Sequence, residues 1–149
     1  MSEVEFNSYL AGFIDGEGGI HISKRREKTR ENYTPTLTIT NQNLDVLKAI
    51  KQRLGVGHMC KGKSGSSGRN CFRYVVECSK TKDVLRRVIH QLQIKREQAI
   101  LLYVFPIQHN GGSISFPTKY ENVNNRIRKI QGKIWMMMRE LNASRNQIL

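Results

Sequence analysis

Acidic residues are scarce in this chain. It has 149 residues, with 12 Asp and Glu against 25 Lys and Arg, so the formal net charge is +13 and the pI is about 10.1. A compact fold with that excess repels itself unless it meets a polyanion. Nucleic acid is the partner that this composition favours. An anionic membrane surface is the weaker alternative, because there is no run of eighteen apolar residues and no separate basic amphipathic helix.

Cysteine is also scarce, and its arrangement excludes two common uses. The three cysteines, Cys60, Cys71 and Cys78, are odd in number and follow no signal peptide, which argues against a disulfide framework. His58 lies near them, but no CxxC or HxxxH pair is present, so a zinc site is not indicated. The acidic start of the chain is unlike a transit peptide. We therefore expect a protein that is not secreted and works in a reducing compartment where it is made.

Residues 57–64, GHMCKGKS, match the phosphate-binding pattern GxxxxGK[ST] but lack its context. That pattern needs a hydrophobic strand before it and a helix after it. Here a helical pattern precedes it and a Gly/Ser turn follows. We expect a hairpin at this point and no nucleotide cofactor.

Hydrophobic periodicity predicts an α+β chain that forms one domain over residues 1–149. A first helix ends near Gly16, and strands over 20–28 and 34–41 flank a polar turn at 29–33. A second helix is capped near Asn43 and stops at Gly55. Strands over 58–63 and 70–78 follow, then helices over 82–92 (capped by Ser79 or Thr81), 97–108 and 118–141, with a loop at 110–113. The last helix has the apolar stripe Val123, Ile127, Ile130, Ile134, Met137 and Leu141. The strands should form one antiparallel sheet, covered on one face.

The stretch from Tyr9 to Gly19 is unusual for a helix end. Gly12 and Gly16 are four residues apart, so they share one helix face and would let another backbone approach closely. Asp15 and Glu17 lie at the C-terminal end, where acids oppose the helix dipole. The residues alone leave two interpretations open, solvated acids or a divalent cation between them.

Leu10–Gly18 (LAGFIDGEG) closely resembles the signature of the LAGLIDADG homing endonucleases. Ile39–Gln42 resembles the end of that family's second strand, and Leu92–Ala99 resembles the segment that carries its active-site lysine. Only one motif is present, so the resemblance is strongest to the single-motif members. It implies an αββαββα fold with a saddle-shaped sheet and C-terminal helices. It also implies a homodimer whose interface includes Leu10, Gly12, Phe13 and Gly16.

The resemblance also implies an active site. Glu17 would be the metal-binding acid, with the Gly16 carbonyl as a second ligand, for Mg²⁺ or in its place Mn²⁺. Lys95 would stabilise charge, and Asn41 would order water near the scissile phosphate, with Gln42 as the fallback if the register slips by one. Asp15 is expected to be structural. Asp45 stands where some relatives have a basic residue, which leaves part of the solvent network undetermined.

The two hairpins are expected to read the major groove of double-stranded DNA. The resemblance implies a site-specific endonuclease that hydrolyses both strands of a long pseudo-palindromic target; the alternative is an RNA-splicing maturase or a non-cleaving DNA-binding protein of the same fold. It suggests an intron-encoded protein of a mitochondrion or chloroplast, and a cytoplasmic one otherwise. The candidate DNA-binding residues are His21, Ser23, Arg25, Glu27, Asn32, Thr34, Thr36, Thr38 and Thr40 on the first hairpin, and His58, Lys61, Lys63, Arg69, Cys71, Arg73 and Val75 on the second.

Overall fold

The computed structural model describes residues 1–27, 30–64, 69–107 and 121–145. Within them the elements are α1 (Glu3–Glu17), β1 (Gly18–Glu27), β2 (Arg30–Asn41), α2 (Leu44–Leu54), β3 (His58–Ser64), β4 (Arg69–Glu77), α3 (Ser79–Val88), α4 (Arg96–Val104) and α5 (Glu121–Arg145). The predicted αββαββα order with C-terminal helices is confirmed. The predicted loop at 110–113 lies outside the described residues.

The four strands form one antiparallel sheet in the order β1-β2-β4-β3. Alternation along the strands separates its two faces. One face carries Ile20, Ile22, Leu37, Ile39 and Tyr74, all buried in the core with side chains from the helices. The other face has no helix of the described residues built over its polar side chains, and we call it the open face. The prediction of a sheet covered on one side is confirmed.

Local capping explains where the first helices begin and end. Ser2 and Glu5 form a capping box at the start of α1, each bonding the backbone N–H of the other. Asn43 caps α2 as predicted, since its side-chain oxygen accepts from two backbone N–H groups. Gly55 ends α2 with a φ of 68°. Arg53 ties α2 to α1 by donating to the carbonyls of Met1 and Ser2.

Several predicted boundaries are wrong. The polar turn expected at 29–33 is too long, because residues 30–33 already pair with β1. The helix expected over 82–92 covers residues 79–88 instead, and neither Ser79 nor Thr81 caps it; the Thr81 hydroxyl donates to the Cys78 carbonyl at 2.6 Å. The helix expected to reach 108 ends at Val104, because the residue before Pro106 is extended.

The predicted apolar stripe of the last helix is correct only in part: Ile134 packs against the core, and Ile127 and Leu141 are half-buried. Val123, Ile130 and Met137 are at least half exposed, whereas Met138 is buried. Two polar residues of the same helix, Asn124 and Gln131, are buried. The Gln131 side chain donates to the Pro106 carbonyl at 2.8 Å, which offsets the loss of its hydration.

Among the helices of the described residues, none combines the length and the apolar character that a membrane span requires.

The pattern GHMCKGKS runs along a strand. Gly57 precedes β3, and the following seven residues are β3 itself, paired with β4, as the hairpin prediction required. Gly57 has a φ of 79°, and an added Cβ would lie 2.5 Å from the Val75 carbonyl oxygen. The glycine is therefore explained by close packing between neighbouring strands.

Cys78 is a strained residue at the junction between β4 and α3. Its φ of 56° and ψ of −138° are rarely adopted by residues with a side chain. We expect the free energy of unfolding of Cys78→Gly to exceed that of Cys78→Ala by about 1 kcal/mol, because only glycine relieves the backbone strain. Equilibrium urea unfolding of the two variants measures the difference. Equal stabilities would show that the backbone at this position relaxes without cost.

Candidate active site and nucleic-acid interface

The end of α1 and the start of α4 are joined by a reciprocal contact between Asp15 and Lys95. The Asp15 carboxylate accepts hydrogen bonds from the backbone N–H groups of Gln93, Ile94 and Lys95, at 2.7, 3.1 and 2.9 Å. The Lys95 ammonium in turn donates to the carbonyls of Ile14, at 3.0 Å, and of Asp15. Each side chain thus satisfies backbone groups at the other's helix end, and we call this pair the interlock.

The interlock explains why an acid is tolerated at the C-terminal end of α1. The ammonium group lies where a helix C-terminus favours positive charge. The Asp15 carboxylate accepts from the N–H groups of the three residues that lead into α4, next to the helix end where negative charge is favoured. Asp15 is therefore neither a solvated acid nor available to a cation, and its geometry agrees with the structural role expected of it. The Lys95 ammonium is held against the carbonyls of Ile14 and Asp15, which lie three and two residues before Glu17 in the chain.

Asp15→Ala should destabilise the protein by about 2 kcal/mol, since it leaves three N–H groups at a partly buried site without their charged acceptor. Chemical denaturation measures this loss. Asp83→Ala is the matched control, because Asp83 is an exposed acid in a 3.9 Å ion pair with Lys80, a kind of contact that contributes little. Equal losses in the two variants would contradict the role of the interlock.

Glu17 differs from Asp15 in its exposure and in its hydrogen bonding. It is exposed, and in the described part of the chain its carboxylate has no hydrogen bond or ion pair. Gly16, next to it, is also exposed and lies so close to the helix end that its carbonyl has no intrahelical partner. Within residues 1–27, 30–64, 69–107 and 121–145, no three His, Cys, Asp or Glu side chains lie close enough to hold a metal ion. Among its described residues, the chain therefore offers one carboxylate at this end of α1 that has no hydrogen bond or ion pair.

Asn41 ends β2 close to the junction between α1 and β1, since Gly18 pairs with Ile39. Its side-chain oxygen accepts from the N–H of Asn43 at 2.8 Å, so this amide also shapes the turn into α2. Gln42 is exposed in that turn. Asp45 is exposed in the first turn of α2 and lies 3.4 Å from the Lys48 ammonium.

The outer face of α1 is open, and nothing within the chain explains sterically why two of its positions are glycine. A Cβ added at Gly12 or Gly16 would meet no atom within 4 Å. Phe13 lies on this face and is partly exposed, with its ring centroid 5.6 Å from that of Tyr9. Leu10, in contrast, is fully buried in the protomer's own core, so its prediction as an interface residue is wrong. Tyr9, which takes its place on this face, could have been found from its i, i+4 relation to Phe13.

The open face of the sheet gathers the predicted residues of the first hairpin. His21 pairs with Thr36, Ser23 with Thr34, and Arg25 with Asn32, so all six belong to one side of the β1–β2 ribbon. The same register places Thr38 and Thr40 beside the second hairpin, where Thr40 pairs with Arg73 and Arg73 with Cys60. These strands present a polar, basic surface. Thr36 is on that face but is only 4% exposed.

The second hairpin fits its predicted list less well. Lys61 pairs with Phe72, which places it on the opposite side of β3 from His58. Lys61, predicted as a DNA-binding residue of this hairpin, is therefore not on the open face. Cys71 and Val75 have the correct parity but are 2% and 8% exposed, because neighbouring side chains cover them. Glu27, Lys63 and Arg69 occupy strand positions, and their side chains lie outside the described residues.

Two exposed residues of the open face are absent from the predicted list. Cys60 pairs with Arg73, and Glu77 pairs with Thr36. Both follow from strict alternation along β3 and β4. His21 lies near the centre of the face, where burial and then the Arg73 guanidinium lower its pKa, while the Glu77 carboxylate acts in the opposite direction. The imidazole is thereby favoured in its neutral form.

These features define an α+β protein with a basic antiparallel sheet face and an exposed carboxylate at the end of a glycine-faced helix. Residues 10–95 match the family model described as "LAGLIDADG endonuclease". The chain belongs to the LAGLIDADG endonuclease family.

A probable intron-encoded endonuclease Cox1-I1b of Schizosaccharomyces pombe is 38% identical over 66 residues, which are 42% of this chain and 17% of that protein. The match thus covers about a sixth of the length of that curated relative.

Solved structures share the fold at lower identity. The archaeal intron-encoded homing endonuclease I-Vdi141I, complexed with DNA, superposes with a TM-score of 0.71 at 21% identity, over 94% of this chain and 86% of that one. The homing endonuclease I-CvuI, in complex with its target in the presence of calcium, has a TM-score of 0.66 at 19% identity, over 90% and 82% of the two chains. The predicted fold is confirmed by both.

Proposed function

We propose that this protein is a sequence-specific DNA endonuclease that acts as a homodimer and depends on a divalent metal. The observation that carries the proposal is the position of Glu17. An exposed carboxylate without a partner among the described residues ends a helix whose outer face has no side chain at Gly12 and Gly16. A protein that only bound DNA would gain nothing from an acid there, since phosphates repel it.

The glycine face supports pairing of two α1 helices. Glycine costs an exposed helix about 1 kcal/mol relative to alanine, and nothing inside the protomer requires it at residue 12 or 16. A second copy of α1 in close backbone contact supplies the missing reason. Tyr9 and Phe13 flank the contact and would cover its edge. Such pairing brings the two Glu17 carboxylates, one from each protomer, to a shared position.

The donors available at that position fit a hard divalent cation. Carboxylate and carbonyl oxygens are the ligands that Mg²⁺ takes, and Glu17 with the Gly16 carbonyl would hold it. Mn²⁺, which accepts similar ligands, would substitute. The ion, when bound, stabilises charge on the oxygens of the phosphodiester. The I-CvuI complex, formed with calcium, supports a divalent-metal requirement in the fold.

The chain's own residues would then stabilise charge on the phosphate and orient water beside it. Lys95 keeps a positive charge beside the end of α1, fixed by the carbonyls of Ile14 and Asp15, and would favour negative charge developing on the phosphate. The Asn41 amide would order water at the same junction, with Gln42 the residue next to it. The open face would lie in the major groove, and two copies would read a pseudo-palindromic site of roughly two helical turns.

A cleavage assay tests the proposal. Double-stranded DNA spanning the insertion site of the encoding gene is incubated with the protein, with Mg²⁺ or with EDTA. A double-strand cut that requires the metal is expected. Binding with no metal-dependent cut would favour the alternative, a non-cleaving or RNA-splicing protein of the same fold. The relative's intron-encoded character supports an origin in an intron, which we propose to be that of an organelle genome.

A further inference from the structure

The open face carries one acidic side chain whose position is fixed. Glu77 ends β4 and is exposed, and it pairs with Thr36, which pairs in turn with His21. The three residues form a row across three strands on the open face. Glu77 also follows Arg73 and Val75 at alternate positions along β4, so all three belong to the same side of that strand.

The backbone just after Glu77 is held from two directions. The Cys78 N–H donates to the Pro35 carbonyl of β2 at 3.0 Å, and the Cys78 carbonyl accepts from the N–H and hydroxyl of Thr81 in α3. The strained φ of Cys78 belongs to this same junction. Strain of this kind persists only where the surroundings determine the conformation, and it is often found at functional positions. Glu77 is therefore presented from a rigid strand end.

Glu77 is an acid on an otherwise basic surface, and this placement needs an explanation. A carboxylate on a surface that meets a polyanion is unfavourable. No ion pair of Glu77 is found within the described parts of the chain. Arg73 is four residues away along β4, about 13 Å by the rise of a strand, and so does not neutralise it directly. Because no ion pair of the described residues occupies the Glu77 carboxylate, its oxygens remain available to accept from a donor on DNA.

We propose that Glu77 determines specificity by reading a cytosine in each half-site. The inference rests on the proposed function. In the major groove cytosine presents only the N4 amino donor, which a carboxylate accepts. Guanine and thymine present acceptor oxygens that repel it, and adenine presents the N7 acceptor beside its amino group. Glu77 therefore favours cytosine over all three.

Arg73 adds a contact of the opposite sense. A guanidinium donates to the O6 and N7 acceptors of guanine. The distance of about 13 Å between the two positions corresponds to about four base steps at 3.4 Å each. In β4, Glu77 would thus read a cytosine and Arg73 would read a guanine about four base steps away.

The test is a binding selection from randomised double-stranded DNA in Ca²⁺, with the wild type, Glu77→Gln and Glu31→Gln. The wild type is expected to prefer cytosine at one position of each half-site by about 5- to 150-fold, which corresponds to the usual 1–3 kcal/mol of a good base contact. Glu77→Gln is expected to shift that position to adenine, since an amide both donates to N7 and accepts from the amino group. Glu31→Gln is the control, because Glu31 is paired with Lys24 at 2.7 Å and lies on the other side of β2.

If the wild type selects a specific site and Glu77→Gln selects the same bases, the proposal for Glu77 is overturned while the proposed function stands. A wild type that selects no sequence overturns it together with the proposed function. The same loss of preference in both variants also contradicts it, because a general electrostatic effect would then explain the result. Circular dichroism of each variant confirms folding, which an exposed isosteric substitution should preserve.

Discussion

Glu17→Gln is expected to abolish DNA cleavage while leaving DNA binding within a few-fold of the wild type. The substitution removes the one carboxylate at the end of α1 that has no hydrogen bond or ion pair among the described residues. Metal stabilisation of the phosphodiester oxygens contributes several kcal/mol, so the rate should fall by at least about 10³-fold. Single-turnover cleavage in Mg²⁺ and equilibrium binding in Ca²⁺ measure the two quantities separately.

Glu140→Gln is the matched control for this experiment. Glu140 is an exposed acid on α5, and it makes the same change in net charge. Its cleavage rate should equal that of the wild type. A Glu17→Gln variant that cuts at a normal rate would show that another group holds the metal, and our assignment of Glu17 would be wrong.

Gly12→Leu is expected to separate folding from assembly. Because a Cβ at residue 12 meets nothing in the protomer, the isolated protomer should keep its fold, and its helix should gain about 0.8 kcal/mol from the better propensity of leucine. The same side chain prevents close approach of a second α1. The variant should therefore sediment as a monomer and lose cleavage together with dimer formation.

Analytical ultracentrifugation with and without target DNA measures the assembly state. Gln52→Leu is the control, since it adds the same side chain to an exposed position of α2 and should leave the dimer intact. A Gly12→Leu variant that remains dimeric would place the interface elsewhere. A wild type that is monomeric on its target would remove the shared-site mechanism.

The features that the sequence predicts correctly are those that depend on neighbouring residues. The glycines of α1, the Asn43 cap and the alternation of β1 and β2 are all determined within a few positions of the chain. The partners of Asp15 are some 80 residues away, and no local pattern identifies them. Sequence reasoning therefore left open the choice between a solvated acid and a cation ligand, which the interlock decides for Asp15.

The errors have physical causes of the same kind. The stripe expected for α5 counted apolar residues only, whereas this helix also buries Asn124 and Gln131. The Gln131 side chain donates to the Pro106 carbonyl, which offsets the cost of its burial. Lys61 was predicted as a DNA-binding residue of the second hairpin, although the alternation that places Arg73 on the open face assigns Lys61 to the other side. Leu10 belongs to the signature motif, but its helix position faces the protomer's own core.

The interlock has a consequence for the order of folding. It joins residues about 80 positions apart, so its formation must close most of the chain into a loop, and contacts of such separation tend to form late. Until α4 has been synthesised and docked, the carbonyls of Ile14 and Asp15 at the end of α1 lack the Lys95 ammonium. Under the proposed function, a nascent or partly folded chain therefore lacks an assembled active site. Competence to cut DNA would arise in the last steps of folding rather than with the motif helix itself.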